Sequence, residues 1–329
     1  MRLTAIPNTE LTVSSLCLGT SPLGSSIDEA ASFRLLDQFV ELGGTFLDTS
    51  RNYADWACEI KSVSEKTIGK WMKDRNAFGR IVVGTKGACP STERFFRLSR
   101  ADIMDDLHSS LRNLQTDCID LYWLHRDDLS VPAEDIWQVL VEAVEAGKIR
   151  YFACSNWTVS RIVEVQQLAQ ASGKPGFCAS QIMWSLAEPN REQMADSTIV
   201  VMDEETERYH RQTGLALAPF SAQAGGFFGG RYDRPSPGTI NGGKPSVQAL
   251  YGSEANYERY DRVREVAEQL GETTGVVALA CLYARPFPVI PIVGPRTPEQ
   301  LADCCRAGEL RLDEQTAQYI EYGTKDGRP

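Results

Sequence analysis

Four side chains that could together move a proton follow three successive apolar runs of the chain. Asp48 ends the first run, Tyr53 comes five residues later, and Lys86 and His125 follow the next two runs. A carboxylate, a phenol, an amine and an imidazole are groups that general acid–base catalysis uses. Each residue alone has an ordinary structural explanation, such as a turn or a packed core position. Together they indicate a site that protonates an oxygen atom as the adjacent carbon is reduced.

The four groups have complementary chemistry. Asp48 would pair with Lys86 and keep the amine charged in a buried setting. The ammonium would then lower the pKa of Tyr53 from its ordinary value of about 10, because a nearby positive charge favours the phenolate. The phenol would become a usable proton donor near neutral pH, and His125 would hydrogen-bond and orient a bound carbonyl oxygen.

Other reaction classes fit these residues less well. Metal-dependent hydrolysis would need several His and Asp ligands together, and the chain has three histidines in all, so no metal site is expected. A serine nucleophile would be expected in a G-x-S-x-G motif, which the sequence lacks. An aldolase with a Schiff base on Lys86 is a further alternative. Pairing with Asp48 argues against it, because a paired lysine stays protonated.

Eight short apolar runs alternate with amphipathic segments and predict the elements that position these residues. This alternation is typical of a parallel α/β fold, and eight is the strand number of a (β/α)8 TIM barrel, whose active sites lie at the C-terminal strand ends. No G-x-G-x-x-G motif is present, which disfavours a doubly wound dinucleotide-binding sheet. The predicted strands are Leu16–Gly19, Thr45–Asp48, Ile81–Thr85, Ile119–Leu124, Tyr151–Ser155, Cys178–Ile182, Leu215–Pro219 and Val289–Val293, and the predicted helices are Ala30–Leu42, Asp102–Leu114, Asp135–Ala146, Val159–Ala171 and Tyr257–Leu270.

The remaining length has two predicted locations. Leu3–Ile6 and Leu11–Val13 would form an N-terminal β-hairpin across the bottom of the barrel. Ala224–Tyr257, rich in Gly, Pro and Ser, would form a long loop over the active site. No change in composition marks a second domain, so residues 1–329 are expected to form a single barrel domain.

Composition limits the partners. The net charge of −10 disfavours nucleic acid, because phosphate binding needs a basic surface. Nine scattered cysteines without C-x-x-C argue against a disulfide framework or a structural zinc site. No run of 18 apolar residues and no signal peptide is evident, so a cytoplasmic protein that does not bind a membrane and acts on a small molecule is expected. The oligomeric state cannot be read from the sequence.

Around Asp48, Tyr53, Lys86 and His125 the sequence resembles the aldo-keto reductase superfamily. The segments that carry the resemblance span nearly the whole chain: GTFLDTSRNY (44–53), VVGTKGA (82–88), IDLYWLHR (119–126), GKIRYFACSNW (147–157), QIMWS (181–185), APFSAQAGGFFGGRY (218–232) and PIVGPRTPEQL (291–301). The resemblance implies a barrel that binds NADP(H) without a Rossmann fold and reduces carbonyls, or oxidises alcohols, by direct hydride transfer. The family's catalytic tetrad falls on Asp48, Tyr53, Lys86 and His125.

The resemblance also implies a cofactor site. Arg296, at the start of a helix, would take a 2′-phosphate, which favours NADP(H) over NAD(H). Asp303 is followed by Cys304 where the family usually has Asn, which leaves use of both cofactors open. The implied cofactor-binding residues are Thr20, Asp48, Ser155, Asn156, Gln181, Phe220, Ser221, Gln223, Gly225, Arg231, Gly294, Arg296 and Gln300.

Two residues near the tetrad suggest the substrate. Asp127 and its neighbour Asp128 follow His125 closely and would accept hydrogen bonds from hydroxyls, which favours a sugar or another hydroxylated carbonyl. Capping of the next turn explains these carboxylates equally well. Trp157 would line the pocket beside Tyr53 and His125, with packing at the barrel rim as the alternative. A cofactor-binding regulatory subunit with little turnover is a second interpretation of the whole chain.

Overall fold

A ring of parallel strands forms the centre of the computed structural model, which describes residues 1–91, 94–232, 234 and 243–324. From the third strand of the chain to the ninth, each strand of the ring pairs with the next, and the tenth strand pairs with the third. The strands are β1 (Leu3–Ala5), β2 (Thr12–Ser14), β3 (Cys17–Gly19), β4 (Phe46–Asp48), β5 (Val82–Gly87), β6 (Ile119–Leu124), β7 (Ile149–Ser155), β8 (Ala179–Gln181), β9 (Ala216–Leu217) and β10 (Ile292–Val293).

The ring closes through the segment that leads into β10. The backbone N–H of Leu217 in β9 donates to the carbonyl of Pro288 at 2.9 Å, and Ile290 N–H donates back to Leu217 at 2.8 Å. At the other side β10 pairs with β3 in parallel, Ile292 opposite Cys17. The predicted (β/α)8 barrel is therefore confirmed, and every strand from β3 to β10 points its C-terminal end to one rim, here called the mouth.

Helices cover the outside of the ring because each presents one apolar face to the strands. In α1, Leu35, Leu36 and Phe39 are buried, and Asp28 caps the first turn by accepting from the Ala31 amide. The helices are α1 (Glu29–Glu41), α2 (Val63–Asp74), α3 (Arg100–Leu114), α4 (Ala133–Glu145), α5 (Val159–Ser172), α6 (Glu204–Thr213), α7 (Pro245–Tyr251), α8 (Glu254–Leu270), α9 (Thr274–Ala280), α10 (Pro298–Glu309) and α11 (Glu314–Tyr322). Among the described residues, no helix combines the length and the apolarity that a membrane crossing requires.

The bottom of the barrel is closed by the predicted hairpin. β1 and β2 pair antiparallel, with Leu3 opposite Ser14. Ile6, Leu11 and Val13 are each no more than 2% exposed and belong to the same apolar cluster as Phe46. The hairpin therefore covers the bottom of the barrel with apolar side chains.

The stretch Ala224–Tyr257 differs from the long unstructured loop that its composition predicted. Ala224–Gly229 forms 3₁₀ turns, α7 follows at Pro245–Tyr251, and α8 begins at Glu254. Phe227 is buried and stacks with Tyr232 at 5.9 Å between ring centroids. Phe227 also packs against Tyr257, with 5.7 Å between ring centroids, so aromatic contacts join the two ends of the stretch. Residues 233 and 235–242 lie outside the described part of the chain.

Candidate active site

The ammonium of Lys86 connects the first three predicted side chains at the mouth. Its Nζ lies 2.5 Å from Asp48 Oδ2, 2.9 Å from the Tyr53 hydroxyl and 3.0 Å from the Thr49 carbonyl oxygen. β4 supplies Asp48, the loop that follows it supplies Tyr53, and β5 supplies Lys86. The three groups are thus brought together by adjacent parallel strands, as predicted from the sequence.

The Asp48–Lys86 pair is buried, with side chains 2% and 1% exposed. Burial alone would lower the pKa of Lys86, but Asp48, followed by Tyr53, reverses this and raises it above its ordinary value. The second carboxylate oxygen of Asp48 accepts a hydrogen bond of 3.0 Å from the Gln181 amide. Lys86 therefore stays an ammonium at neutral pH.

Tyr53 differs from expectation in its protonation. The residue as a whole is partly exposed, but its hydroxyl lies among packed groups, and burial raises its pKa to about 12 despite the opposing effect of Lys86. The predicted net lowering towards neutral pH is thus wrong, because desolvation of the phenolate outweighs the ammonium. At neutral pH the phenol keeps its proton, which is the form that a proton donor needs.

His125 completes the set from the end of β6. Its ring lies edge-on to Tyr53 with 6.3 Å between centroids. Burial lowers the pKa of His125 well below 6.5, and the charges of Lys86 and Arg126 add to the effect. The imidazole is therefore neutral at pH 7 and acts by hydrogen bonding. Its backbone carbonyl accepts from Arg126 at 2.8 Å and from the Asn156 amide at 3.4 Å.

Unusual backbone conformations aim several side chains of the mouth. Ala54, next to Tyr53, has φ of +66°, and Ala88, two residues after Lys86, has φ of +54°. Asn156 and Ser221, after β7 and β9, have φ of +59° and +55°. Residues other than glycine seldom adopt these values, and such strain is concentrated at functional sites.

Three polar side chains lie beside the tetrad at the ends of β7 and β8. Ser155, Asn156 and Gln181 are all less than 5% exposed. The Asn156 side-chain N–H donates to Ser155 Oγ at 3.0 Å, and the Asn156 backbone N–H donates to the Gln181 carbonyl at 2.9 Å. Hydroxyl and amide groups in one buried patch complement a carboxamide, which both donates and accepts.

The segment after β9 presents an aromatic ring and exposed backbone. Phe220 is partly exposed, and Ser221, Gly225 and Arg231 are exposed. Gly225 has φ of +63°, and an added Cβ would lie 2.8 Å from Val247, so glycine is required there. Gln223 hydrogen-bonds Cys304 of α10, which ties this segment to the next helix.

The start of α10 holds an exposed cation. Gly294 and Arg296 are exposed, and no ion-pair partner of the Arg296 guanidinium is found in the described part of the chain. The Arg296 backbone N–H donates to Gln300 Oε1 at 2.8 Å, and Thr297 caps the helix. A free guanidinium at a helix N-terminus suits an anionic group.

Comparison with known proteins agrees with this geometry. The model of the Aldo/keto reductase family matches residues 15–322. The chain belongs to the aldo/keto reductase family. It is 31% identical over 327 residues to an uncharacterized oxidoreductase of Bacillus subtilis, YrpG, a match that covers 97% of this chain and 95% of that protein.

Two further relatives of this aldo/keto reductase carry names that state a reaction. A norsolorinic acid reductase of Emericella nidulans is 29% identical over 331 residues, which cover 96% of this chain and 79% of that protein. An aryl-alcohol dehydrogenase (NADP(+)) of Phanerodontia chrysosporium is 28% identical, with 95% and 83% covered. Family membership identifies the chain as an NAD(P)H-dependent oxidoreductase.

The side chains of three predicted site residues of the reductase are occupied by contacts within the protein. The Thr20 hydroxyl donates to the Asp48 backbone carbonyl at 2.9 Å and is fully buried. The guanidinium of Arg161 binds both carboxylate oxygens of Asp127, at 2.9 and 3.2 Å. Trp157 is 1% exposed and packs edge-on against Phe177. Asp127 Oδ1 also accepts from the Asp128 backbone N–H at 2.8 Å, and Asp128 Oδ1 accepts from the Ser130 N–H at 3.0 Å. These contacts agree with the turn-capping alternative for the two carboxylates, and the burial of Trp157 agrees with the packing alternative.

Two features of the mouth were not foreseen from the sequence. Cys89 is buried with its Sγ 3.3 Å from His125 Nδ1. A buried thiol gives no sequence signal that separates it from an ordinary core cysteine. Trp56, Phe95 and Phe96, on the loops after β4 and β5, are 70%, 39% and 51% exposed. Large apolar residues in polar loops are a signal that could have identified these three.

Proposed function

We propose that the chain reduces an aldehyde or ketone to an alcohol, or catalyses the reverse reaction, with NADP(H) as cofactor. One observation carries the proposal: a single buried ammonium, that of Lys86, binds both Asp48 and the protonated hydroxyl of Tyr53. This arrangement suits proton donation to a carbonyl oxygen, since the ammonium would stabilise the phenolate that remains. It does not suit a Schiff-base lysine, because Asp48 keeps Lys86 protonated.

Each residue has one task in the proposed reaction. Tyr53 donates its proton to the carbonyl oxygen. Lys86 lies 2.9 Å from that hydroxyl and offsets the negative charge left on it. Neutral His125 donates a hydrogen bond to the same carbonyl oxygen and sets its orientation, and Asp48 holds Lys86 in place and in its charged form.

The described residues fit NADP(H). Ser155, Asn156 and Gln181 would hold the carboxamide, and Phe220 would stack on the nicotinamide ring. Bound there, NADPH would supply the hydride that reduces the carbonyl carbon. Ser221, Gly225, Gln223 and Arg231 would cover the pyrophosphate, while Arg296, flanked by Gly294 and Gln300, would bind the 2′-phosphate. We also propose a cytoplasmic location, because the cytoplasm supplies the NADP(H) that this reaction would need.

An aromatic carbonyl is the substrate class that we favour over a sugar. Three aromatic side chains, Trp56, Phe95 and Phe96, are exposed on loops at the mouth, and the last two form an edge-on pair with 5.1 Å between centroids. Rings of this kind bind flat apolar groups. The carboxylate expected to bind sugar hydroxyls, Asp127, is held by Arg161. The relatives named aryl-alcohol dehydrogenase and norsolorinic acid reductase agree with this choice.

Cofactor binding and turnover test the proposed reaction separately. NADPH and NADH are titrated against the protein by fluorescence, and then aromatic, aliphatic and sugar carbonyls are assayed at 340 nm. Tyr53→Phe should bind NADPH as the wild type does but lose turnover at least 100-fold. Tyr151→Phe is the matched control, because its hydroxyl binds the Glu10 amide at the bottom of the barrel. Tight NADPH binding with no turnover of any carbonyl would favour the regulatory-subunit interpretation.

The substrate class has its own test. Trp56→Ala should raise KM for benzaldehyde several-fold and leave KM for acetaldehyde unchanged. Phe78→Ala removes another exposed ring, before β5 and therefore away from the mouth, and serves as the control. Equal KM changes for both aldehydes, or faster turnover of sugars than of benzaldehyde, would reject the aromatic class.

A further inference from the structure

Two buried side chains, those of Cys89 and Ser50, contact the Nδ1 edge of the His125 ring. His125 Nδ1 lies 3.3 Å from Cys89 Sγ and 3.5 Å from Ser50 Oγ, and the sulfur and the hydroxyl lie 3.2 Å apart. Cys89 and Ser50 are fully buried. The proposed reaction assigns no role to Cys89 or Ser50, yet both residues contact the imidazole of His125.

The donors and acceptors of this cluster determine which partner His125 Nδ1 has. The hydroxyl of Ser50 donates to Asn52 Oδ1 at 2.8 Å, so its proton is committed. The thiol of Cys89 has three acceptors in reach. Ser50 Oγ lies at 3.2 Å, and the Lys86 carbonyl and His125 Nδ1 both lie at 3.3 Å. The Lys86 carbonyl already accepts the backbone N–H of Arg51 at 3.0 Å. Nδ1 has no other donor among the described residues, so the thiol is the group that can satisfy it.

The thiol keeps its proton and its position. Burial raises the pKa of Cys89 to about 12, and the nearby Asp106 charge adds to this effect. The Cys89 backbone is fixed at both polar groups: its N–H donates to Asp106 Oδ2 at 3.3 Å, and its carbonyl accepts from Arg97 at 2.9 Å. Ala88, with φ of +54°, turns the chain into this position.

We propose that Cys89 is a positioning residue that sets the tautomer of His125. Its S–H donates to Nδ1, which leaves the imidazole proton on Nε2, the nitrogen that must donate to a carbonyl oxygen. The alternative tautomer would place a proton on Nδ1 against a weak sulfur acceptor and a distant hydroxyl. It would also present a bare Nε2 that cannot bind a carbonyl oxygen. The inference rests on the proposed carbonyl reduction for its functional meaning, but not for the tautomer itself.

Nitrogen NMR of the histidines tests the tautomer without any assay of activity. The chain has three histidines, so a long-range ¹⁵N–¹H spectrum of the full-length, [¹⁵N]histidine-labelled protein at pH 7.5 shows three ring patterns. His125→Gln assigns the pattern of interest. The expected pattern is an unprotonated Nδ1 and a protonated Nε2. A protonated Nδ1 in the wild type would overturn the proposal.

Substitutions at Cys89 provide the second readout. Cys89→Ala should move the His125 pattern towards the Nδ1-protonated form and lower kcat about 5–10-fold, as expected for one lost hydrogen bond, with the Kd for NADPH unchanged. Cys89→Ser, which keeps a donor, should restore both the pattern and most of kcat. Cys178→Ala removes a buried thiol before β8, at the opposite end of the barrel, and is the control.

The outcomes of these experiments either support or overturn the role of Cys89. If Cys89→Ala keeps the wild-type histidine pattern, or if Cys89→Ser behaves like the alanine variant, the thiol does not set the tautomer. If Cys89→Ala fails to fold, the wild-type spectrum and the serine variant still decide. If the wild type turns over no carbonyl at all, the proposed function fails, whereas the spectrum continues to report on Cys89.

Discussion

Lys86 Nζ and Asp48 Oδ2 lie 2.5 Å apart in a pair whose side chains are 1% and 2% exposed. Charges so deeply buried are stable only together, since each alone would lose its hydration without compensation. The pair therefore links the fold to the chemistry: the same contact that satisfies Asp48 keeps charged the ammonium that binds Tyr53.

Because the two charges depend on each other, the effects of removing them on the free energy of unfolding should not be additive. Asp48→Asn and Lys86→Met should each lower the free energy of unfolding by about 3–5 kcal/mol, because each leaves one buried charge unpaired. The double variant should lose less than the sum of the two, as measured by urea unfolding. The exposed pair Lys70–Glu29, at 2.6 Å, is the control: Lys70→Met should cost no more than about 1 kcal/mol. Strict additivity at Asp48 and Lys86 would show that the pair is not coupled.

Arg296 should control the choice of cofactor. Its exposed guanidinium at the start of α10 would bind a 2′-phosphate, and NADH lacks that group. Arg296→Gln is expected to raise the Kd for NADPH about 10-fold or more and to leave the Kd for NADH unchanged, as measured by fluorescence titration. Arg306→Gln, at the other end of the same helix, should change neither value. A parallel loss of both cofactors in Arg296→Gln would place the 2′-phosphate elsewhere.

Asp127 should matter for stability and not for substrate choice. Its side chain is 10% exposed, Arg161 is 9% exposed, and the guanidinium of Arg161 binds both oxygens. Asp127→Ala should lower the free energy of unfolding by about 1.5–3 kcal/mol, because the buried guanidinium of Arg161 loses both of its bonds to Asp127 and keeps only the exposed Glu164 and the Val131 carbonyl. The ratio of kcat/KM for sugars to that for benzaldehyde should not change. Glu164→Ala removes only the exposed partner of Arg161 and controls for a weakened ion pair. A selective loss of sugar turnover in Asp127→Ala would restore the sugar-binding role.

Strand positions were readable from the sequence because buried parallel strands are continuous apolar runs. Ile119–Leu124 was predicted with its observed bounds, and Asp48 was placed correctly at the end of its strand. The tetrad followed from this, since polar residues after such runs meet at one rim. The predicted run Val289–Val293 is reduced to a two-residue strand, β10, preceded by a bridge at Val289.

Helix α6 could not be predicted because it lacks an apolar stripe. Its only buried residues are Thr206 and His210. Its stability comes from tertiary contacts that no periodicity reveals. The contact between Cys89 and His125 was invisible for a related reason: it joins side chains of different strand ends through a turn at Ala88 whose conformation the sequence does not indicate.

Two histidines should make the protein less stable in mild acid. Burial lowers the pKa of His125 well below 6.5, with Lys86 and Arg126 adding to the effect, and burial also lowers the pKa of His210. The unfolded chain restores values of about 6.5. Below that pH the unfolded state binds more protons than the folded state, so acid favours unfolding. The free energy of unfolding should fall by up to about 1.4 kcal/mol per pH unit for each histidine as pH decreases below about 6.5.

Urea unfolding between pH 7.5 and pH 5 measures this slope. His210→Gln should flatten it, because Gln has no proton to gain and its amide N–H can still donate to the Leu215 carbonyl, which His210 Nδ1 contacts at 2.7 Å. His108→Gln, at a partly exposed position of α3, controls for the substitution itself. A slope that His210→Gln leaves intact would mean that His210 is already protonated in the folded protein, against the effect of its burial.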